Sequence, residues 1–191
     1  MTRKGVLVVV AGAVVGVALS WAAMRGLERM IGPRRATPPP PSEPAPATAH
    51  ITATLFYASE DGRMLVPVKR EVPLAEGVVA QGREIVASQL QPAPPPYATT
   101  IPSGTTLRAF YVTNKGDAFV DLSANISRAH PGGTSAEVLT VYTVVNAVIT
   151  NLPAVQRVQI LVDGKAVDTI AGHVDVRRPL QRNDAVVQSA K

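Results

Sequence analysis

The chain has 191 residues, a formal net charge of +5, a hydrophobic content of 46% and an aromatic content of only 4%. This length fits one domain with appendages, and its core must be built from Val, Ile, Leu and Ala. The chain has no cysteine, which excludes disulfides, thiolate metal sites, cysteine nucleophiles and a lipid anchor on an N-terminal cysteine.

The positive charge lies outside the segment that is predicted to fold. Residues 50–180 hold eleven Lys and Arg and eleven Asp and Glu, whereas residues 1–49 hold six basic and two acidic residues. A nucleic-acid-binding protein carries its basic footprint on the folded domain, so we expect no nucleic-acid partner. The basic residues instead flank a hydrophobic segment, where anionic lipid headgroups attract them.

That hydrophobic segment, Gly5–Met24, contains no charged residue. A helix of this length, at about 1.5 Å per residue, spans roughly the 30 Å hydrocarbon core of a bilayer. Arg3 and Lys4 precede the segment, and Trp21 lies near its end, where interfacial aromatic residues are enriched. Residues 1–32 are therefore predicted to form one transmembrane anchor with its flanks, and to stay uncleaved.

The orientation of this anchor is open to two interpretations. Four arginines follow the segment and outnumber the two basic residues before it. From the count of these residues alone, the positive-inside rule predicts that the domain lies in the cytoplasm, where it would act as an anchored adaptor. The family resemblance described below implies the opposite side of the membrane.

Residues 33–49 contain seven prolines and no large apolar residue. Such a segment cannot bury enough apolar surface to fold. We expect a semi-rigid spacer of about 3.1 Å per residue, or roughly 50 Å in all. The alternative is a ligand for proline-binding modules, because Pro38–Pro41 favours a polyproline II helix.

Residues 50–180 are predicted to form an α+β domain. Period-two alternation and turn signals predict strands, and helical spacing of apolar residues predicts helices. The predicted strands cover 51–57, 63–72, 106–112, 118–122, 155–162 and 165–171, and the helices cover 76–91 and 134–151. This order favours a mixed, mostly antiparallel sheet with two helices on one face. Residues 181–191 are predicted to form a flexible tail.

Local signals define several details of this domain. Pro67 marks a sheet edge or bulge, and Asp163-Gly164 favours a type I′ turn. Thr134 and Glu137 are spaced as a capping box at the start of the second helix. The predicted core is aliphatic and includes Leu55, Ile85, Leu107, Val120, Val145, Ile149 and Ile160.

Few residues are candidates for chemistry. His173 and Asp175 would share one face of a strand, but a metal site needs a third ligand, such as Asp121, and no spacing points to one. Ser123, His173 and Asp163 could be written as a triad, yet no Gly-x-Ser-x-Gly elbow supports it. Asp121 is expected to close a strand end by accepting from nearby amides. We therefore predict no catalytic, cofactor-binding or metal-binding residues and no cofactor.

Several short motifs, taken in order, resemble the GerMN domain family. They are Ile101-Pro102-Ser103-Gly104-Thr105 before a strand, Val120-Asp121-Leu122-Ser123 closing a hairpin, Val162-Asp163-Gly164-Lys165 in the last hairpin, and Ile170-Ala171-Gly172-His173-Val174-Asp175 followed by Pro179-Leu180. The similarity covers roughly residues 51–180. The best-known members of the family have two tandem copies and a lipid-attachment cysteine, whereas this chain has one copy and no cysteine.

The resemblance implies a non-enzymatic, extracytoplasmic module of the bacterial cell envelope, here held by a single span in the inner membrane. We expect it to act through an envelope protein partner or through a homo-oligomer. The candidate contact surfaces are the helix face of Thr140 and Thr143 and an open sheet edge. The alternative function is a cell-wall glycan-binding protein or an envelope enzyme that uses His173 and Asp121.

Overall fold

A computed structural model of the chain describes Trp21, Arg25 and residues 49–188. The folded domain lies in the unit Ala47–Lys191. The predicted anchor and spacer lie outside the described residues, apart from Trp21, Arg25 and Ala49. No helix within the described part of the chain is long and apolar enough to cross a membrane.

The domain alternates strands and helices, which confirms the predicted α+β class. In chain order the elements are β1 (His50–Ala58), β2 (Leu65–Pro73), α1 (Val78–Gln89), β3 (Leu107–Val112), β4 (Asp117–Leu122), α2 (Asn125–Arg128), α3 (Thr134–Asn151), β5 (Arg157–Val162) and β6 (Lys165–Ala166). The helix predicted over 134–151 matches α3, and both residues of the predicted type I′ turn have positive φ, 49° at Asp163 and 76° at Gly164.

The strands form two sheets, where the sequence predicted one. β1 and β2 make an antiparallel hairpin, and the second sheet has the order β3-β4-β5-β6. β4 and β5 run parallel, and the other neighbours in that sheet are antiparallel. α1 and α3 contact both sheets, so the two sheets share one core.

That core is mostly aliphatic, as predicted, but it also buries the aromatic rings of Phe56, Tyr57 and Phe110. Leu55, Ile85, Val120, Val145 and Ile160 are fully buried in a single cluster. The other two predicted members, Leu107 and Ile149, are partly buried against it.

α1 approaches β3 closely because Gly82 has no side chain. A Cβ at this position would collide with the buried ring of Phe110. The small residue therefore sets the distance between the helix and the second sheet.

The predicted contact face on α3 is wrong. Thr140 and Thr143 are buried. The Thr140 hydroxyl donates to the backbone carbonyl of Thr100 at 2.7 Å. The side-chain hydroxyl of Thr100 donates to the Thr143 hydroxyl at 2.8 Å. The loop before β3 covers this face, since α3 is apolar on nearly every side and needs cover all round.

The free edge of β1 is closed by side-chain amides instead of a third strand. Asn151 of α3 accepts from the Thr54 N–H at 2.8 Å and donates to the Thr54 carbonyl at 2.7 Å. Gln89 of α1 does the same for Phe56, at 2.9 and 2.8 Å. Because these amides satisfy the strand's outward groups, β1 has no need to join the second sheet.

The C-terminal part of the domain differs from the predicted strand over 165–171 and from the predicted flexible tail over 181–191. β6 ends at Ala166, and residues 167–188 form an irregular segment. The predicted flexible tail is wrong for residues 182–188, because they bond to the domain. The Asn183 N–H donates to the Asn146 side chain at 3.0 Å, and the Leu65 N–H donates to the Val186 carbonyl at 2.7 Å.

Replacing Gln89 by leucine tests the amide closure of β1. Gln89→Leu keeps the side-chain size but leaves the buried N–H and carbonyl of Phe56 without partners, so we expect a loss of about 2–4 kcal/mol in unfolding free energy. The measurement is urea unfolding of the full-length chain in detergent, followed by circular dichroism.

Gln91→Leu is the matched control, because Gln91 is exposed and makes only a 3.4 Å contact with the Ala87 carbonyl. It should change stability by less than about 0.5 kcal/mol. Equal losses in the two variants would contradict the proposed closure.

Candidate functional site

The most deeply buried charged group of the described residues is the carboxylate of Glu137, in the first turn of α3. It is 0% exposed. It accepts hydrogen bonds from the backbone N–H groups of Ile170 at 2.8 Å, Ala171 at 2.7 Å and His173 at 2.7 Å. The segment after β6 therefore wraps around this carboxylate, and this explains why β6 stops before the predicted residue 171.

The capping box predicted for α3 is wrong. The N-cap residue is Gly133, with φ 87°, and no side chain bonds to the amides of the first turn. Thr134 lies inside the helix. Glu137 does not reach back to the helix start, because amides distant in sequence use both of its oxygens.

Two opposing effects set the pKa of Glu137. Burial raises the pKa of this carboxyl, but the backbone N–H groups of residues 170, 171, 173 and 174 stabilise its charged form and outweigh burial. The net result is a pKa below the ordinary value of 4.5. The group is therefore an anion at neutral pH and works as a structural acceptor.

His173 lies beside this carboxylate, with its Nδ1 3.2 Å from a Glu137 oxygen. The predicted pairing of His173 with Asp175 on one strand face is wrong, because residues 170–176 form no strand. Asp175 instead pairs with Arg177, whose side-chain and backbone hydrogen bonds lower the pKa of Asp175 to about 2. His173 thus has a structural carboxylate as its neighbour.

Asp121 forms a second polar cluster at the end of β4. One of its oxygens accepts from the Gly164 N–H at 2.7 Å, and the other lies 3.2 Å from Nε of Arg108. Arg108 also reaches Asp163, at 3.2 Å. These bonds hold the turn between β5 and β6, which is the strand-closing role predicted for Asp121.

The structure does not assemble the triad that could be written from Ser123, His173 and Asp163. The Ser123 hydroxyl accepts from the Thr106 N–H at 3.0 Å, and Asp163 accepts from the Ala124 N–H at 3.1 Å. His173 belongs to the Glu137 cluster. Within residues 49–188, no group of three or more His, Asp or Glu side chains is placed to hold a metal ion.

An open cleft of about 360 Å³ lies beside the turn between β1 and β2. Asp61 is fixed within that turn, because one of its oxygens accepts from the Ser59 hydroxyl at 2.6 Å and from the Arg63 N–H at 3.1 Å. The cleft is lined by Ser59, Glu60, Asp61, Met64, Val66, Pro96, Tyr97 and Gln188.

The outer edge of β2 is poorly suited to strand pairing. Leu65 is already paired with the segment Val186–Gln188. Pro67 has no N–H to donate, and it is exposed there as predicted for an edge position. The exposed charges of Lys69 and Glu71 further disfavour pairing.

An aromatic surface lies on the face of the second sheet that points away from the helices. Tyr111 of β3 pairs in register with Phe119 of β4, which pairs with Gln159 of β5. The Tyr111 residue is 59% exposed and Phe119 is half-buried. We call Tyr111 and Phe119 the aromatic row.

Sequence reasoning missed the aromatic row, although its signal was present. The predicted hairpin and its period-two alternation already placed Tyr111 and Phe119 on the same face. The sequence does not show which face of the sheet the helices cover. In the structure they cover the opposite face, which carries Phe110 and Val120.

The comparisons with known proteins agree with this fold. A family model described as "Germane: Sporulation and spore germination" matches residues 54–168. This confirms the resemblance to the GerMN family, although the match ends before the trailing motif at residues 170–175. Among curated proteins, none matches this chain.

Three solved structures share the fold at low sequence identity. A candidate lipoprotein from Clostridium perfringens is 21% identical, with a TM-score of 0.50, covering 71% of this chain and 90% of that one. The tandem GerMN domains of the sporulation protein GerM from Bacillus subtilis are 15% identical, with a TM-score of 0.55, covering 70% of this chain and 46% of that one. The first GerMN domain alone gives the same identity and TM-score, covering 69% of this chain and 98% of that one.

Replacing Glu137 by glutamine should remove a pH-dependent part of the stability. The folded-state pKa of Glu137 is below 4.5, so its stabilisation is complete above that pH and is lost as the pH falls below it. At pH 7 we expect Glu137→Gln to cost about 2–4 kcal/mol, and the gap from wild type should shrink in acid. Thermal unfolding between pH 3 and pH 7 measures this.

The control is Glu76→Gln, the same change at an exposed carboxylate. It should leave the unfolding midpoint near that of wild type at every pH. If the difference in unfolding midpoint between wild type and Glu137→Gln stayed constant from pH 3 to pH 7, Glu137 would not be an ionised carboxylate held by backbone N–H groups.

Replacing Asp121 by alanine tests whether this residue is structural. The change removes the acceptor of the Gly164 N–H and a partner of Arg108, so we expect a loss of about 1–3 kcal/mol. Urea unfolding of the full-length chain in detergent measures it. Asp175→Ala removes an exposed carboxylate that also pairs with an arginine, and it should leave the unfolding midpoint nearly unchanged. If Asp121→Ala were as stable as wild type, the strand-closing role would be wrong.

Proposed function

Because this chain belongs to the Germane family of sporulation and spore germination, we propose that it is a membrane-anchored, non-catalytic binding module of the bacterial cell envelope. The family match covers more than half of the chain. The domain is proposed to lie on the extracytoplasmic side and to bind or scaffold other envelope components there.

The observation that carries the non-catalytic part of this proposal is the use of the buried carboxylates. Glu137 holds the segment after β6, and Asp121 holds the turn of the last hairpin. An acid or base in catalysis must have hydrogen-bonding capacity left for a substrate. His173 and Asp121, the two residues of the enzyme alternative, belong to different clusters, so that alternative gains no support.

The membrane part of the proposal rests on the uncharged segment Gly5–Met24 and on one described contact near its end. Trp21 and Arg25 are helical, four residues apart, and Cζ of Arg25 lies 3.8 Å from the centre of the Trp21 ring. A cation over an indole face is attracted by the ring, and both residue types are favoured at a membrane–water boundary. The pair fits the place where the chain would leave the bilayer.

The extracytoplasmic side is supported by what the similar structures are. One is a candidate lipoprotein and another is the sporulation protein GerM. The arginines that follow the hydrophobic segment favour the opposite side. Direct measurement of the topology therefore decides between an envelope module and a cytoplasmic adaptor.

Fusing reporters to the C-terminus in a bacterial host makes that measurement. We expect a fused alkaline phosphatase to be active and a fused green fluorescent protein to be dark, both in the membrane fraction. The reason is that this phosphatase is active only outside the cytoplasm, whereas the fluorescent protein matures only inside it. A variant that starts at Pro33 should reverse both signals and be soluble. Fluorescence from the full-length fusion would overturn the extracytoplasmic proposal.

A further inference from the structure

The aromatic row stands between two arginine–carboxylate pairs on the same sheet face. On one side, Arg157 of β5 binds Asp117 of β4 through two hydrogen bonds, of 2.7 and 3.1 Å. On the other side, Arg108 lies 3.2 Å from Asp121. Asp117 and Asp121 are each two residues from Phe119 along β4, so each pair lies about 7 Å from the row.

The arginine of each pair offers hydrogen-bond donors to a ligand. The side chains of Arg108 and Arg157 are 50% and 44% exposed. Their guanidinium groups have more N–H donors than the hydrogen bonds to the carboxylates use. A ligand on the row would therefore meet an apolar platform in the middle and polar groups at both ends.

The charge of this face disfavours an anionic ligand. Arg108 and Arg157 are matched by Asp117, Asp121 and Asp163, so the face is close to neutral and slightly negative. A nucleic acid would stack on the aromatic rings but needs an excess of cations for its phosphates. An anionic polymer is disfavoured for the same reason.

The size of the platform favours a small unit over a folded protein. Two partly exposed rings offer roughly 200 Å² of apolar surface, whereas a stable protein interface buries about 800 Å² on each partner. A single pyranose ring, with an apolar C–H face and hydroxyl groups around its rim, matches the platform and its polar flanks.

We propose that the outer face of the second sheet, centred on Tyr111 and Phe119, binds a neutral sugar chain. A pyranose ring stacks on the aromatic row, and its hydroxyl groups accept hydrogen bonds from the guanidinium groups of Arg108 and Arg157. The inference rests on the proposed extracytoplasmic function, because wall glycan lies on that side of the membrane. No sugar bond is formed or broken in this proposal.

Nuclear magnetic resonance on the full-length chain in detergent micelles can test this directly. The chain has only four tyrosines and three phenylalanines, so the ring signals of Tyr111 and Phe119 can be assigned individually. We expect triacetylchitotriose, a neutral sugar trimer, to shift these two rings with a Kd on the order of 1 mM, and trigalacturonate, an anionic trimer, to bind more weakly.

Substitutions then test whether the Tyr111 ring contributes to sugar binding. Tyr111→Ala should weaken binding of triacetylchitotriose by about tenfold, while Tyr111→Phe, which keeps the ring, should bind as wild type does. Leu74→Ala, which truncates another exposed apolar side chain, is the control and should leave binding unchanged. Shifts of the Tyr111 and Phe119 rings in the wild-type chain remain informative if Tyr111→Ala folds poorly.

The absence of ring shifts, tighter binding of the anionic trimer, or unchanged binding by Tyr111→Ala would each overturn the sugar-binding proposal. A photo-crosslinker at position 111 that captures an envelope protein, without any sugar binding, would also overturn it but would leave the proposed envelope function standing. The reporter fusions test that function independently, so the two failures can be told apart.

Discussion

The buried carboxylate of Glu137 is the interaction on which the C-terminal third of the domain depends. Burial of an ion is expensive unless hydrogen bonds replace its lost water. Three backbone N–H groups of residues 170–173 make that replacement. The carboxylate and the segment therefore stabilise each other. If the segment moved away, the buried carboxylate would lose its donors, and the backbone N–H groups would lose their acceptor.

Further bonds extend this constraint from α3 to both sheets. The segment held by Glu137 continues to Val176, whose carbonyl accepts from the Gln159 side chain of β5. Leu180 then pairs with Val158, also of β5. Residues 182–188 follow and reach α3 and β2, where Val186 and Gln188 pair with Leu65. A single buried charge thus fixes the start of a segment that joins α3 to both sheets.

Sequence reasoning succeeded where the deciding interactions are local. The helical character of α3, the turn at Asp163-Gly164 and the mostly aliphatic core follow from spacing, turn chemistry and hydrophobicity within short windows. It failed where a partner lies far along the chain. Glu137 has the spacing of a capping residue, but its partners are more than thirty residues away, and no local pattern shows that they will reach it.

The split into two sheets and the aromatic row were hidden for the same reason. Gln89 and Asn151 look like ordinary polar residues near helix ends, yet they close the edge of β1 across 33 and 97 residues of sequence. The outward face of Tyr111 and Phe119 becomes visible only once the helices are placed on the opposite side of the sheet. Both the split into two sheets and the exposure of the aromatic row depend on how distant elements pack, and residue type alone does not show this.

The arrangement of polar groups limits how such a domain can act. The carboxylates of Glu137 and Asp121 are occupied inside the fold, and the outer edges of β1 and β2 are poorly suited to strand pairing, which favours recognition through an exposed side-chain surface. A single row of two rings gives weak affinity by itself. Tethering compensates for weak affinity, because a short linker holds a binding site at an effective concentration near the millimolar range. The proposed membrane anchor would keep the row within reach of a polymer layer beside the membrane, where weak contacts repeated along the polymer are sufficient.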